Sequence, residues 1–523
     1  MPNGQIETRL EAADRRIVLG VALATAGSLF CISSKNFVIP TIVSSLDASE
    51  AESMLLRQLP GVGALLAIFV VGALIMRIGP QRCIMGAGVF MIVGYLGTFL
   101  APNITTVMFG LTLAFIGKAA AIVATVSLLS SSLRDKNSRA TGFATLAMVG
   151  PAVYLAVPIM ASFVVQSFGW RWVSVIWLLG GCLVIVSALK VLPSTGPATP
   201  QRGEIWTPIL AGVVLVGLTQ ILRLGANDGF ATTPMVVALG VTALGAGTLV
   251  LLLRKLSLPS MSFSLLRNGS LVMMLVVGIL IGFANVTFYG VLGAQYVYGM
   301  TPFHVSLLFI PVQLAGVVGA KYSGRLVKTR GLTFTGVLSL LVCAAACFLC
   351  WFQTVTISIV FPLLLLIVFG ACAAGAGGTI SNAIMSLAPT GDEGPTSAFR
   401  SAAVSLGASM GTVFLSAVVF STMAASMSNA NLSTGLTLDK ATNIAKAVIQ
   451  GANSEDVAAQ YRVPVALVNQ ETADERQAGV EGFRAQGLGG GVMLLSAAGL
   501  FYLARRRVER NEAAIERRET EPA

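Results

Sequence analysis

Two lysines stand inside long apolar stretches of this sequence. Lys118 lies near the middle of the stretch 104–132, and Lys35 lies within the stretch 17–44. An ammonium group at the centre of a bilayer costs roughly 2.5–3.5 kcal/mol, so such groups usually face an interior cavity rather than lipid. We therefore expect Lys118 and Lys35 to neutralise an anionic or amphiphilic small molecule. Lys118 is also a candidate for binding a proton as the coupling ion.

The same stretches exclude acidic residues. Aspartate and glutamate are missing from residues 53–134, 136–203 and 229–391. A relay of buried carboxylates is therefore not expected, although Glu52 and Asp228 at the outer ends leave that route open. This distribution of charge predicts a positive binding cavity.

Small residues beside Lys118 predict which way it points. They recur at helical spacing and form a seam for close helix packing: Gly110, Ala114, Gly117, Ala121 and Ala124. Because Lys118 adjoins this seam, we expect it to point into a bundle. The alternative is a structural lysine bonded to helix carbonyls. For Lys35, which is nearer a span end, snorkelling to the surface is an equal alternative.

Neutral polar residues in later apolar stretches are further candidates for substrate binding. Asn285 and Tyr289 are one helical turn apart, Gln313 is in the middle of the next stretch, and Asn382 is in a later one. Such groups also serve helix packing, which contributes only about 0.6 kcal/mol for each interaction. Both interpretations stay open for all four residues.

The composition places the chain among membrane proteins. The 523 residues are 55% hydrophobic and 11% charged. The seven cysteines lie in or beside apolar stretches, and His304 is the single histidine. The sequence contains no nucleophile–base pair and no cluster of metal ligands, so we expect neither an enzyme nor a cofactor.

About fourteen stretches approach the roughly 20 apolar residues that a membrane-spanning helix needs. The predicted spans are 17–44, 54–76, 82–101, 104–132, 140–166, 171–192, 206–226, 233–253, 270–293, 304–327, 332–352, 356–388, 398–425 and 487–504. We predict a cytoplasmic N-terminus at 1–16, a six-helix bundle at 17–193 and two extra helices at 194–256. A second six-helix bundle follows at 257–504, with a basic tail at 505–523.

The connections between spans predict an orientation. Arginine and lysine concentrate on alternate connections, and positively charged loops stay in the cytoplasm. Both termini are therefore predicted to be cytoplasmic, with the protein in the plasma (inner) membrane. The net charge of +11 follows from this asymmetry and favours contact with anionic lipids, not with nucleic acid. The long outer loop 425–486 contains helix-like pieces near 438–450 and 455–461, and it is either a spacer or a small folded cap.

A short motif occurs twice. Residues 72–79 read Gly-Ala-Leu-Ile-Met-Arg-Ile-Gly, and residues 324–331 read Gly-Arg-Leu-Val-Lys-Thr-Arg-Gly. Each motif ends one span and leads into the next. Paired hairpins of this kind indicate two duplicated bundles around a cavity at the middle of the membrane. The residues predicted to act in conformational gating come largely from these motifs: Gly72, Arg77, Gly79, Gly324 and Gly331.

The chain resembles the major facilitator superfamily, in particular its 14-helix drug:proton antiporter branch. The resemblance runs from Phe37-Val-Ile-Pro40 to Gly482-Phe483-Arg484, and it includes Gly169-Trp170-Arg171-Trp172 and Arg400 with Gly407 and Gly411. It implies an all-α protein with two six-helix bundles and two extra central helices. It also implies gating roles for Arg400 and for Pro158, the proline of the family's antiporter motif.

Several signature residues of that branch are replaced. Met76 and Lys328 stand where the loop motif has aspartate, and Cys31 stands where the first span usually has aspartate. The arginine of the fourth span aligns with Leu113, and Val157 replaces the glycine partner of the antiporter proline. The resemblance therefore implies the fold more strongly than it implies drug:proton exchange.

Together these observations predict a monomeric secondary transporter that works by alternating access and exports an anionic or amphiphilic small molecule. Three alternatives stay open. One is a multidrug:proton antiporter for cationic or lipophilic drugs, and another is a flippase for lipids or lipid precursors. The third is a membrane sensor or scaffold that uses the outer loop to bind a partner.

Overall fold

The structure is a computed structural model of the 523-residue chain. It describes residues 11–193, 204–227, 232–256, 263–284, 297–298, 300, 302–431, 440, 443–444, 448 and 453–520. Asn285, Tyr289 and most of the predicted helix at 438–450 lie outside the described residues.

Six helices form the first bundle. They are α1 (Ala12–Ser45), α2 (Glu50–Ile78), α3 (Pro80–Phe99), α4 (Ile104–Ser132), α5 (Lys136–Phe168) and α6 (Trp170–Val186), the last of which continues into a π-helical turn, Ser187–Val191. Side-chain caps fix where three of them begin, and Ser49 caps α2. Asn103 accepts a hydrogen bond from the Thr106 N–H, and Asp135 accepts from the N–H groups of the next turn. Such caps satisfy backbone donors that a helix start leaves open.

Two extra helices and the second bundle follow. The extra helices are α7 (Trp206–Asn227) and α8 (Thr233–Lys255), and α7 packs against α2 of the first bundle. The second bundle consists of α9 (Gly269–Phe283), α10 (Pro302–Leu349), α11 (Val360–Met385), α12 (Glu393–Asn431) and α14 (Val465–Thr520), with the short α13 (Ser454–Tyr461) before the last helix.

The helices agree with the predicted number of spans. Twelve helices in the described part of the chain are long and apolar enough to cross a membrane. One of them, Leu307–Phe352, contains two spans because Gly331 interrupts α10, and Gly269–Phe283 is a shorter apolar helix. The fourteen predicted spans therefore each correspond to a helix or helix segment, and the all-α fold with two extra central helices is confirmed.

Glycines make the sharpest turns between helices. Gly79 has φ 84° and ψ 155°, and Gly331 has φ 84° and ψ 170°. An L side chain is strained at such positive φ values, whereas glycine is not. Because Gly79 and Gly331 close the two copies of the repeated motif, the sequence repeat appears as the same backbone turn in both bundles.

The last helix is longer than the apolar stretch predicted to span the membrane. The predicted span 487–504 is the middle of α14, which begins at Val465 and continues to Thr520. Much of the predicted outer loop is therefore helical and continuous with the span. The neighbouring α13 agrees with the predicted helical piece at 455–461, and the Asn453 side chain caps its start.

The two bundles meet near one face of the molecule, where residues 79, 133–135 and 386–392 connect helices. We call it the basic face because its arginines and lysines are numerous: Arg77, Arg82, Arg134, Lys136, Arg139, Lys190, Arg325, Lys328 and Arg330. Near this face, the Ser397 hydroxyl on α12 donates to the Val123 carbonyl on α4, at 2.8 Å. The contacts of α2 with α12 and of α5 with α10 complete the junction between the bundles.

Candidate functional site

The structure brings Lys35 and Lys118 together around one aromatic ring. The ammonium nitrogen of Lys35 lies 4.9 Å from the centre of the Phe115 ring, and that of Lys118 lies 5.2 Å from it. Both distances are within the range of cation–π attraction, which partly offsets the cost of removing an ammonium group from water. Phe115 is 2% exposed, so this contact is inside the first bundle. Sequence reasoning did not identify Phe115 as a site residue.

The small-residue seam of α4 explains how Lys118 is positioned. A side chain at Gly117 would meet the Ala87 carbonyl of α3 at 2.5 Å, and one at Gly110 would meet the Gly94 carbonyl at 2.7 Å. The backbones of α3 and α4 therefore approach closely along this seam. Lys118 is half-buried beside it and lies one helical turn after Phe115 on the same helix, with its ammonium group over the Phe115 ring.

A polar cluster supports the lysine pair from the other helices of the bundle. Cys31 on α1 is 1% exposed and lies near both lysines. The Trp177 indole N–H on α6 donates to the Ser34 hydroxyl at 3.0 Å, and the Tyr95 ring lies 5.8 Å from the Trp177 ring. Tyr95 and Trp177 are fully buried. These contacts join α1 to α6 and α3 to α6 next to the lysine pair.

Arg57 adds a third positive charge near Lys35, with which it interacts electrostatically. Asp47 and Glu52 are acidic residues close to Arg57 in the sequence and could pair with it. Among the described side chains, neither Asp47 nor Glu52 forms that ion pair. Glu52 instead closes a capping box at the start of α2, where its carboxylate accepts from the Ser49 N–H at 2.9 Å. The site around Phe115 is therefore positive.

A cavity of about 360 Å³ lies between the bundles. Its wall comes from α5 of the first bundle and from α9, α10, α11 and α12 of the second. Three polar side chains line it, Gln313, Ser381 and Arg400, and all its other lining residues are apolar or glycine. Gln313 thus lies where substrate contact was predicted, whereas Asn382, which is 5% exposed, is packed among helices and does not line the cavity.

Arg400 lies at the cavity rather than at a connection between helices. Its Nε–H donates to the Ser381 hydroxyl at 2.9 Å, and that hydroxyl donates to the Gly377 carbonyl at 2.6 Å. Asp392 and Glu393 are the acidic residues nearest to Arg400 in the sequence. Glu393 instead accepts from the Gly391 N–H at 3.0 Å. The gating role of Arg400 stays a prediction.

Two of the residues predicted to act in gating, Gly72 and Gly324, lie at the junction between the bundles. A side chain at Gly72 on α2 would meet the Ala398 Cβ on α12 at 2.7 Å, and one at Gly324 on α10 would meet the Ala144 Cβ on α5. The two copies of the repeated motif therefore form the two equivalent close contacts between the halves.

Arg77, from the first copy, has a different partner. It donates to the Glu204 carbonyl at 3.0 Å, which joins the end of α2 to the start of α7. On α5, Pro151 lines the cavity and faces Gly316, whereas Pro158 does not line it. The structure thus brings Pro151, rather than the predicted Pro158, to the junction.

A comparison with known families identifies the family to which this chain belongs. A family model described as Major Facilitator Superfamily matches residues 21–412. The chain belongs to the Major Facilitator Superfamily. Members of this superfamily are transporters, so the facilitator is not an enzyme.

Individual relatives have low sequence identity to this chain, but the alignments cover more than half of each chain. The facilitator is 23% identical to multidrug resistance protein Stp of Mycobacterium tuberculosis (strain CDC 1551 / Oshkosh) over 430 residues, which cover 79% of this chain and 78% of Stp. It is 27% identical to the methylenomycin A resistance protein of Bacillus subtilis (strain 168) over 296 residues, 56% of this chain and 62% of that protein. A solved structure of the human organic anion transporter MFSD10 (TETRAN) superposes with a TM-score of 0.59 at 11% identity, covering 93% and 99% of the two chains.

The facilitator therefore has two positive positions inside a transporter fold. One is the Lys35–Phe115–Lys118 arrangement in the first bundle, which we call the lysine pair. The other is the cavity with Arg400 between the bundles. Among the described residues, no group of histidine, cysteine, aspartate and glutamate side chains could hold a metal ion.

Proposed function

We propose that this facilitator is a secondary active transporter that exports an anionic or amphiphilic small molecule across the plasma membrane by alternating access. The observation that carries the proposal is the lysine pair, in which two ammonium groups share one buried ring. The helices α3, α4 and α6 around it contain no acidic residue in their sequence. An anionic group of the substrate would supply the missing negative charge.

Alternating access would use the junction near the basic face. The close contacts at Gly72 and Gly324 hold the bundles together there. Separating these contacts and closing the opposite ends would expose the binding region to the other side. The basic residues of this face favour its cytoplasmic location, with both termini in the cytoplasm.

The test is transport in proteoliposomes under an imposed pH gradient, with labelled anionic and cationic amphiphiles. Lys118→Gln and Lys118→Ala should each reduce anion flux at least about tenfold, because each leaves the substrate charge without its partner. Lys321→Gln is the matched control, since Lys321 is exposed on α10. Cation flux driven by the gradient and indifferent to Lys118 would contradict the proposal.

The second candidate is a multidrug:proton antiporter. It is favoured by the relatives that are named multidrug resistance proteins, Stp among them. A cationic drug would meet the positive charge of the lysine pair, which disfavours its binding unless the lysines are neutral. The same assay separates the two candidates, because only the antiporter moves cationic amphiphiles with a dependence on the pH gradient.

A further inference from the structure

Among the described residues, three arginine side chains at or beside the basic face lie over aromatic rings, and all three belong to the second bundle. The pairs are Arg325 over Tyr322 at 5.6 Å, Arg330 over Phe334 at 5.7 Å and Arg506 over Tyr502 at 5.9 Å, measured from the guanidinium carbon to the ring centre. The rings are exposed by 60%, 45% and 43%. Aromatic and basic side chains at the end of a span are typical of the boundary between the hydrocarbon and the headgroups of a bilayer.

The first bundle uses its basic residues differently. Arg16 donates to a backbone carbonyl of the π-helical turn after α6, at 2.7 Å, and Arg77 donates to a backbone carbonyl just before α7, at 3.0 Å. Both guanidinium groups therefore bind acceptors of the protein itself. Arg330 and Arg506 are exposed and form no ion pair in the described part of the chain. Their N–H donors are available to a ligand outside the bundle.

The end of α14 arranges its arginines around the outside of the bundle. Successive helical residues are about 100° apart, so Arg505, Arg506 and Arg507 point in three directions. Arg505 faces α10, where its Nε–H donates to the Thr333 hydroxyl at 3.3 Å. Arg507 faces α9, where a Cβ added to Gly269 would meet its guanidinium at 3.1 Å. Arg506 lies between these two directions and is exposed.

Thr333 brings an arginine of α10 to the same place. Its hydroxyl donates to the Glu509 carboxylate at 2.6 Å, which ties α10 to α14 and uses that carboxylate within the protein. Arg330 lies three residues before Thr333, and its guanidinium packs back over Phe334, the residue after Thr333. Arg330 and Arg506 thus flank one contact between α10 and α14.

We propose that this end of the second bundle binds an anionic phospholipid, with the two arginines on the phosphate oxygens and the two aromatic rings against the glycerol and the upper acyl chain. The lipid site consists of Arg330, Phe334, Tyr502 and Arg506. Guanidinium groups match phosphate oxygens in geometry and charge. The predicted span 487–504 ends two residues before Arg506, which is where headgroups lie. The lipid site is separate from the proposed function, because no residue of the lysine pair takes part.

Counting bound lipids tests the lipid site directly. The purified protein in a neutral detergent is titrated with dioleoylphosphatidylglycerol or with dioleoylphosphatidylcholine, and native mass spectrometry counts the lipids on each protein. We expect one phosphatidylglycerol to bind at least about fivefold more tightly than phosphatidylcholine, because only the first has a net negative charge. Equal affinity for the two lipids would overturn the proposal.

Glutamine variants remove the two charges. Arg330→Gln and Arg506→Gln should each weaken phosphatidylglycerol binding about fivefold, and the double glutamine variant should bind the two lipids alike. The double lysine variant, Arg330→Lys with Arg506→Lys, should retain most of the preference, because an ammonium group also binds phosphate. A double glutamine variant that keeps the preference would overturn the proposal. So would a double lysine variant as weak as the double glutamine variant, which would assign the effect to packing instead of charge.

Arg254→Gln is the matched control for net charge. Arg254 is exposed at the end of α8 and also lies directly beyond a predicted span. The substitution removes the same charge from another part of the surface, so phosphatidylglycerol should bind as in the wild type. Weakening equal to that of Arg506→Gln would show an effect of overall charge and would overturn the assignment of a specific site.

The aromatic rings have a matched control as well. Tyr502→Leu and Phe334→Leu should each weaken phosphatidylglycerol binding about twofold to fivefold, because each ring holds an arginine through a cation–π contact. Trp351→Leu is the control, since Trp351 is 51% exposed and lies under Arg484 at 5.8 Å in another part of the bundle. A loss of equal size in Trp351→Leu would show general lipid contact and would overturn the role of the two rings.

Two further measurements identify the ligand as a lipid. Glycerophosphoglycerol, the water-soluble headgroup without acyl chains, should not displace phosphatidylglycerol even in large excess. Displacement would make the ligand a free phosphate ester and would overturn the proposal. Phosphatidylglycerol should also raise the thermal midpoint of the wild type but not that of the double glutamine variant, because a ligand of the folded state stabilises it. A wild-type midpoint that does not respond to saturating phosphatidylglycerol would contradict the proposal.

Discussion

The lysine pair and the cavity with Arg400 hold positive charge in two different ways. Around Phe115, two ammonium groups share an aromatic ring within a closely packed bundle. In the cavity, one guanidinium is oriented by Ser381 and faces space large enough for a small molecule. The first region belongs to one bundle, whereas the second is shared by both. Only the second region must change shape when the bundles move relative to each other.

This difference suggests a division of labour. A site within one rigid bundle keeps its geometry during alternating access, so it can hold a substrate charge in both conformations. A site between bundles is assembled and disassembled with each cycle, so its affinity for the ligand depends on conformation. The lysine pair would therefore govern selection by charge, and the cavity would couple binding to the movement of the bundles.

Reversing the charge of the lysine pair should have the largest effect. Lys118→Glu places a carboxylate beside Lys35, which converts the pair into an ion pair with no net charge. We expect anion flux to fall at least about a hundredfold, because the positive partner is lost and a repulsive one is introduced. Transport of labelled amphiphiles in proteoliposomes measures this. Lys321→Glu on the exposed face of α10 is the control, and anion flux retained in Lys118→Glu would remove the lysine pair from substrate selection.

Substitutions of the equivalent glycines at the junction, Gly72 and Gly324, should have the second-largest effect on flux. Gly72→Leu and Gly324→Leu insert side chains where even a Cβ meets the opposite bundle. Both variants should lose most of their flux, because the bundles can no longer close near the basic face, while helix formation itself is retained. Gly61→Leu is the matched control on α2, since an added Cβ there meets nothing within 4 Å.

The same pair of variants also tests whether the two copies of the repeated motif have the same role in gating. If the two motifs act equivalently, Gly72→Leu and Gly324→Leu should favour the same open arrangement of the basic face. Reaction of a cysteine introduced at Ser397 with a water-soluble maleimide would report it, because Ser397 is fully buried in that contact. Labelling that rises in one variant only would show that the halves gate differently.

Several of these features could be predicted from the sequence, because each depends on residues that are close together in the chain. Span positions follow from continuous apolar stretches, and the turns at Gly79 and Gly331 follow from a repeated motif of eight residues. The inward direction of Lys118 was predictable because the small residues of its seam are on the same helix. Each of these properties is set within one or two turns of a single helix.

Other features depend on contacts between helices and leave no local signal. Phe115 and Lys118 are one helical turn apart on α4, but nothing in the sequence near Phe115 indicates that Lys35 of α1 reaches the same ring. Arg400 likewise reaches Ser381 on a neighbouring helix. The helical extension of α14 before residue 487 was missed for another reason. Its sequence is rich in glutamate, glutamine and arginine, so it lacks the apolar stretch that identifies a span.

A smaller effect should follow from replacing the ring between the lysines. Phe115→Leu keeps an apolar side chain of similar depth but removes the π face from both ammonium groups. We expect anion affinity to change by about threefold to tenfold, since each cation–π contact contributes on the order of 1 kcal/mol. Binding of octanesulfonate in nanodiscs measures it. Phe90→Leu is the control, because Phe90 is exposed on α3, and equal effects of both substitutions would assign the change to helix packing.

The smallest expected effect is at Asp135, which separates α4 from α5 outside the spans. Hydrogen bonds from the Ser138 and Asn137 N–H groups hold the pKa of its carboxyl below the usual 3.8. A carboxyl with a depressed pKa stabilises the folded state above the unfolded value, and this contribution is lost as the pH falls through the folded value. Asp135→Ala should therefore lower the thermal midpoint slightly at pH 7, and the difference from wild type should shrink below pH 4.

Asp135→Asn retains the cap without a titrating group, so its midpoint should stay near that of the wild type at pH 7. An Asp135→Ala deficit that is unchanged in acid would assign the stabilisation to the chain geometry of the turn rather than to its charged cap.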